Sequence, residues 1–182
     1  LRLRGVRASG WLDEASELSL DALIATQSAS GGWPRETPTQ PSRPYGRLDA
    51  FNDGTTNYCV ETLLEAAQAT GRPDCREAVG RGVRFILETQ LDDPTPGWAQ
   101  QYDPQGRATT ARKWEPPAAC SSVTGRNIST LLDVFVATGD RNALAPVEGA
   151  AAWLERAKLP SGKWARFYDL ETGRPLYVDK EG

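Results

Sequence analysis

The sequence predicts an all-α chain: an incomplete α/α toroid of about three helical hairpins with long irregular rim loops. Two observations carry this. One unit returns three times, and helical apolar spacing precedes each return. The string ALIATQSASGGWPRE at 22–36 is answered by FILETQLDDPTPGWAQQYD at 85–103 and by WLERAKLPSGKWARFYD at 153–169. Trp33, Trp98 and Trp164 are therefore spaced by 65 and 66 residues. Upstream stretches repeat as well, ETLLEAAQATGRPD at 61–74 against STLLDVFVATGDRN at 129–142.

Residues 57–70 place Val60, Leu63, Leu64 and Ala67 on one helical face, and Gly71 offers a stop. Residues 75–90 do the same with Val79, Val83, Ile86, Leu87 and Gln90. The next pair is expected over 127–138, through Leu131, Leu132 and Phe135, and over 146–157, through Val147, Ala151 and Leu154. In the Q-x-x-x-G-x-W form of Gln27, Gly31 and Trp33, the indole would plug the gap between hairpins while Gln bonds loop backbone. Pro-rich stretches at 34–53 and 104–120 lack periodicity and read as rim loops. A short strand pairing is expected near 164–168 and 175–178.

At 182 residues the chain suits one domain over 1–182. It contains no His, which excludes Ser-His and Cys-His nucleophiles, His-ligated zinc and an imidazole base. Acid–base chemistry is left to carboxylates, Lys, Arg, Tyr or Cys. Cys59, Cys75 and Cys120 show no C-x-x-C spacing and read as three unpaired, mostly buried thiols. The net charge of −3 argues against nucleic acid as a partner, and no run approaches ~20 apolar residues, so no membrane span is expected. Residue 1 is not Met, which suggests an excerpt or a processed form, and a monomer is expected. Residues 1–103 carry −5 and residues 104–182 carry +2, so the later loops suit an anionic ligand that is not a nucleic acid.

Chemistry is expected where the copies diverge, in the rim loops. The segment DAFNDGTTN (49–57) offers Asp49, Asn52 and Asp53 as hard oxygen ligands, or else Asp53 or Thr55 as a helix cap. In RATTARKWEPPAACSS (107–122), Arg112, Lys113 and Glu115 surround Trp114. That set reads either as a sugar-acid site or as a solvated ion-pair cluster over a packed Trp. The last loop carries Lys163, Arg166, Tyr168, Arg174 and Tyr177, for ligand binding or for packing.

The motifs GGWP (31–34), FNDGTTN (51–57), GWAQQYD (97–103), TARKWEPPA (110–118) and WARFYDLETGRPLYVD (164–179) together resemble polysaccharide lyase family 10, the pectic acid lyases. The resemblance implies an incomplete α/α toroid that binds polygalacturonate and cleaves it by Ca²⁺-assisted β-elimination. It implies Arg112 as the catalytic base, with Lys113, Trp114, Lys163, Arg166 and Arg174 as substrate-binding residues. It also implies Asp53, with Asn52 beside it, at the calcium site. Two departures stand out. Gly54 replaces a second Asp, and no Asp-Asn-x-Ala-Thr segment precedes the first copy, as though the family's N-terminal part were lacking. Lys113 is the physically easier base, because a Lys pKa falls more readily than that of Arg. A substrate of this kind implies a secreted or periplasmic protein. The alternative is a non-catalytic relative, or inactive fragment, that binds acidic polysaccharide.

Overall fold

A computed structural model describes residues 10–36 and 43–179. Among these run five α-helices: α1 (Gly10–Ala25), α2 (Thr55–Thr70), α3 (Pro73–Glu88), α4 (Ser121–Thr138) and α5 (Val147–Arg156). α2 and α3 form one hairpin, α4 and α5 another, and α2 packs along α4. α1 lies against α2 and α3, so the described residues hold two complete hairpins and a single helix.

The helix ends follow from sequence. α2 and α4 stop at Gly71 and Gly139, which take left-handed φ of 76° and 74° and return their amides to Ala67 O and Phe135 O. Pro73 opens α3, where its missing N–H costs nothing. Arg72, between the helices, joins Glu17 (2.5 Å) and Asp21 (2.5 Å) of α1 to Asp74 (2.6 Å) of α3.

The expected apolar face of α4 is rotated. Leu132 is exposed, while Val123, Thr124, Asn127, Thr130, Leu131 and Val134 are buried. Polar residues hold the seam with α2: Asn57 Nδ2 donates to Asn127 Oδ1 (2.8 Å) and Thr130 Oγ1 (2.9 Å). On α5 the buried residues are Ala150 and Trp153, while Ala151 is exposed.

The three Trp loops share one construction. Each indole N–H donates back to the preceding helix: Trp33 to Leu23 O (2.8 Å), Trp98 to Ile86 O (2.7 Å) and Trp164 to Leu154 O (2.6 Å). Gln27 Nε2 bonds Gly31 O and Ala78 O, and Gln90 Nε2 bonds Pro96 O and Pro146 O. The Trp33 and Trp98 amides also donate to Thr56 Oγ1 (3.2 Å) and Thr124 Oγ1 (3.1 Å), at the start of the next helix. These two indoles are buried, whereas Trp164 is 42% exposed.

Short strands knit the rim. β1 (Asp49–Ala50) pairs antiparallel with β2 (Gln101–Tyr102), and β3 (Ala119–Cys120) with β4 (Phe167–Tyr168), which in turn takes β5 (Pro175–Leu176). The same rule recurs: the strand leading into a helix pairs with the strand that follows the next copy's Trp. The expected pairing near 164–168 and 175–178 is thus present as β4 with β5. The three cysteines are free thiols, with Cys75 and Cys120 buried. No helix among the described residues is long and apolar enough to cross a membrane.

Candidate active site

The two lead-in loops differ by an insertion, and the site begins there. After β3, Thr124 Oγ1 donates to Cys120 O four residues back, at 2.9 Å. After β1 the equivalent bond joins Thr56 Oγ1 to Ala50 O six residues back, also at 2.9 Å. The extra residues form a 3-10 turn, Asn52–Gly54, in which Asp53 (φ 53°) and Gly54 (φ 74°) adopt left-handed backbone. Asp tolerates that conformation better than most side chains. The turn sends Asn52 inward and Asp53 outward.

Asn52 points at Glu115. This carboxylate is 1% exposed, and such a charge is tolerated only when closely paired. Arg112 grips it with both arms of its guanidinium, Nε to Oε2 at 2.8 Å and Nη2 to Oε1. Asn52 Nδ2 donates to Oε1 at 3.3 Å, and Arg166 Nη2 stands 3.8 Å from the same oxygen. Arg166 also donates to Gln100 Oε1 at 3.4 Å. Gln101 fixes the loop backbone, giving its Nε2 to Thr109 O (2.8 Å) and Glu115 O (3.3 Å). The pair raises the Arg112 pKa above the usual arginine range, chiefly through the hydrogen bond to Glu115. As folded, Arg112 keeps its proton.

Arg112 also lies over the Trp114 ring, 5.4 Å from its centroid. Trp114, Arg166, Phe167, Leu176, Tyr177, Val178 and Asp179 line an open groove of about 630 Å³ beside the cluster. The cluster is therefore not a solvated ion pair over a packed Trp. The carboxylate is buried and the indole is the partly exposed group. Lys113, Lys163 and Arg174 are exposed and stand outside the hydrogen bonds that join Arg112, Glu115 and Arg166.

The two residues expected at a calcium site part company. Asn52 is buried against Glu115, while Asp53, 77% exposed, pairs with Arg35 at 2.8 Å. Calcium takes about 6–8 converging oxygens, and among the described residues no group of three or more His, Cys, Asp or Glu is placed to hold a metal. The two residues do not by themselves make a site for the ion, because Asn52 is turned inward, its Oδ1 buried without a partner, while Asp53 faces outward and is paired with Arg35.

Sequence reading left Arg35 and Gln100 out of the expected site. The repeat itself holds a signal for both: Arg35, Gln100 and Arg166 each stand two residues after a repeat Trp. Glu115 was named beside Arg112, but its contacts with Asn52 and Arg166 join separate loops and left no signal in the sequence.

Stacked helical hairpins with function-bearing rim loops define an incomplete α/α toroid. Three solved structures share that fold. A family 10 polysaccharide lyase from Cellvibrio cellulosa, a mutant in complex with trigalacturonic acid, matches with a TM-score of 0.80 at 21% identity, over 95% of this chain and 63% of its own. A second structure of the Cellvibrio lyase gives 0.74 at 21% identity, over 96% and 63%. The cellobiose 2-epimerase of Spirochaeta thermophila gives 0.64 at 18% identity, over 91% and 43%. The chain thus spans less than two thirds of each of these proteins. No curated protein matches it by sequence. The chain belongs to the pectic acid lyase family, whose profile matches residues 11–163.

Proposed function

We propose that this chain binds polygalacturonate at the Arg112–Glu115–Arg166 cluster and cleaves it by β-elimination. The observation that carries the reading is the convergence of two arginines from successive rim loops on one buried carboxylate, beside an aromatic groove. Family membership supports it, and so does the trigalacturonic acid bound to the Cellvibrio relative. In the reaction the C5–H bond breaks, its electron pair becomes the C4=C5 double bond, and the C4–O4 bond breaks. The departing O4 takes a proton from water.

Arg166 is half exposed and is the arginine open to an incoming uronate carboxylate. Neutralising that carboxylate acidifies the adjacent C5–H. Arg112 is the base in this reading. It must first lose a proton that Glu115 helps it to keep, so turnover should climb by about tenfold per pH unit across the alkaline range. No step is assigned to calcium, whose expected ligands do not converge.

The test follows the ultraviolet absorbance of 4,5-unsaturated product from polygalacturonate at alkaline pH, with calcium and with chelator. Growth of signal in both arms is the expected result. Growth only with calcium would restore the metal to the mechanism. A second reading, binding without cleavage, is favoured by the charged state in which Glu115 holds Arg112. A flat trace, with binding of trigalacturonate intact, would select it.

A further inference from the structure

Two of the arginine–carboxylate pairs on the rim differ in how readily they exchange. Arg112 is held by Glu115, which solvent scarcely reaches. Arg35, about one third exposed, is held by Asp53, which stands almost wholly in water. An exposed pair of this kind contributes little, and an incoming carboxylate can replace Asp53 at small cost. Replacing Glu115 would leave a charge buried without a partner. Arg35 is thus a cation lent to its neighbour, and Arg112 is not.

Arg35 also occupies a place defined by the repeat. It stands two residues after Trp33, as Gln100 does after Trp98 and Arg166 after Trp164. The backbone at this place is pinned alike in the later copies: Gln100 O accepts from the Phe51 and Asn52 amides, and Arg166 O accepts from Ser121 N. The three places lie along one rim. Arg35 touches Asp53, Asn52 next to it reaches Glu115, and Glu115 lies by Arg166, which touches Gln100. A polyuronate offers one carboxylate per sugar, which suits a rim that presents cations at two of its three repeated places, with the neutral Gln100 between them.

We propose that Arg35 is a second carboxylate subsite for an acidic polysaccharide, equivalent by the repeat to Arg166, and that Asp53 is the internal anion which the polymer displaces. This rests on the reading of the Arg166 groove as a uronate site. The subsite matters for long ligands, because an oligomer must reach from the third copy's loop to the first.

The experiment measures calorimetric affinity for galacturonate oligomers from trimer to hexamer, in chelator, with a neutral oligosaccharide as control. Arg35→Gln should reduce the hexamer-to-trimer affinity ratio by about tenfold, the loss of one charge-assisted contact. Asp53→Asn keeps a side chain that tolerates left-handed backbone and removes the competing charge. It should raise hexamer affinity by about threefold to tenfold. Melting curves matched to wild type establish that both variants fold. If the ratio stays at the wild-type value in Arg35→Gln, or if Asp53→Asn weakens the hexamer, the subsite is wrong while the groove stands. If wild type binds no galacturonate oligomer, the groove reading and the subsite fall together.

Discussion

The second and third Trp loops are built from nearly the same sequence, GWAQQYD and KWARFYD, yet one is sealed and the other open. Trp98 is 0% exposed and Trp164 is 42% exposed, although both indoles donate to the preceding helix. Both loops also use a Tyr hydroxyl to hold the amide after the Trp: Ala99 N donates to Tyr102 Oη at 2.7 Å, and Ala165 N to Tyr168 Oη at 2.9 Å. The difference lies on the other side of the ring. Trp98 has Thr124 of α4 bonded to its amide, and among the described residues no following helix does this for Trp164. In the sealed loop the Trp amide is tied to the start of the next helix. The sealed loop builds core, and the open one carries Arg166 close to Tyr177 at a groove.

The comparison predicts unequal costs. Trp98→Ala should destabilise by about 3–5 kcal/mol, measured as a shift in the urea midpoint. Gly97→Ala should cost about 1–3 kcal/mol, because a Cβ there meets Thr124 Oγ1 at 2.4 Å and the Trp153 ring at 2.8 Å, and neither has room to withdraw. Trp164→Ala should cost about 1 kcal/mol or less. A Trp164→Ala effect as large as that of Trp98→Ala would break the contrast between sealed and open loops.

A smaller effect is expected where α1 joins the hairpin. Arg72 holds the Asp74 carboxyl at about 2, below the usual carboxylate range, chiefly through their hydrogen bond. A lowered native pKa stabilises above the unfolded value of about 3.9 and is lost as pH falls through about 2. Acid titration of the helical signal should therefore show part of its loss in that window. Arg72→Ala should remove that part.

The repeat, the two hairpins and the Gln–Trp anchors were legible, because Trp, Gly and Gln recur at fixed spacing. α1 was not. Its core contacts, Leu20, Leu23 and Ile24, are interleaved with exposed Trp11 and Leu18, so no single stripe stands out. The rotated face of α4 was hidden for a related reason. Thr124, Asn127 and Thr130 fill core positions that a hydrophobic pattern assigns to solvent. In the site, Arg112 and Trp114 could be picked out as chemically capable residues. The burial of Glu115 could not, since its Asn52 partner is 63 residues away, on another loop. The opposite facings of Asn52 and Asp53 depend on one left-handed turn that their letters do not encode.

The polar seam between α2 and α4 has a consequence for the rim above it. Asn57, Asn127 and Thr130 are fully buried, yet Asn57 Oδ1 and Asn127 Nδ2 have no partner. A greasy seam of the same shape would hold as well or better, but it would tolerate sliding. With the amides in place, a shift of either helix along its axis breaks the bonds that the seam does make, leaving further buried polar atoms bare. The seam thus works as an index pin. It fixes the height of one rim loop against the next, and the meeting of Asn52 with Glu115 is set from below.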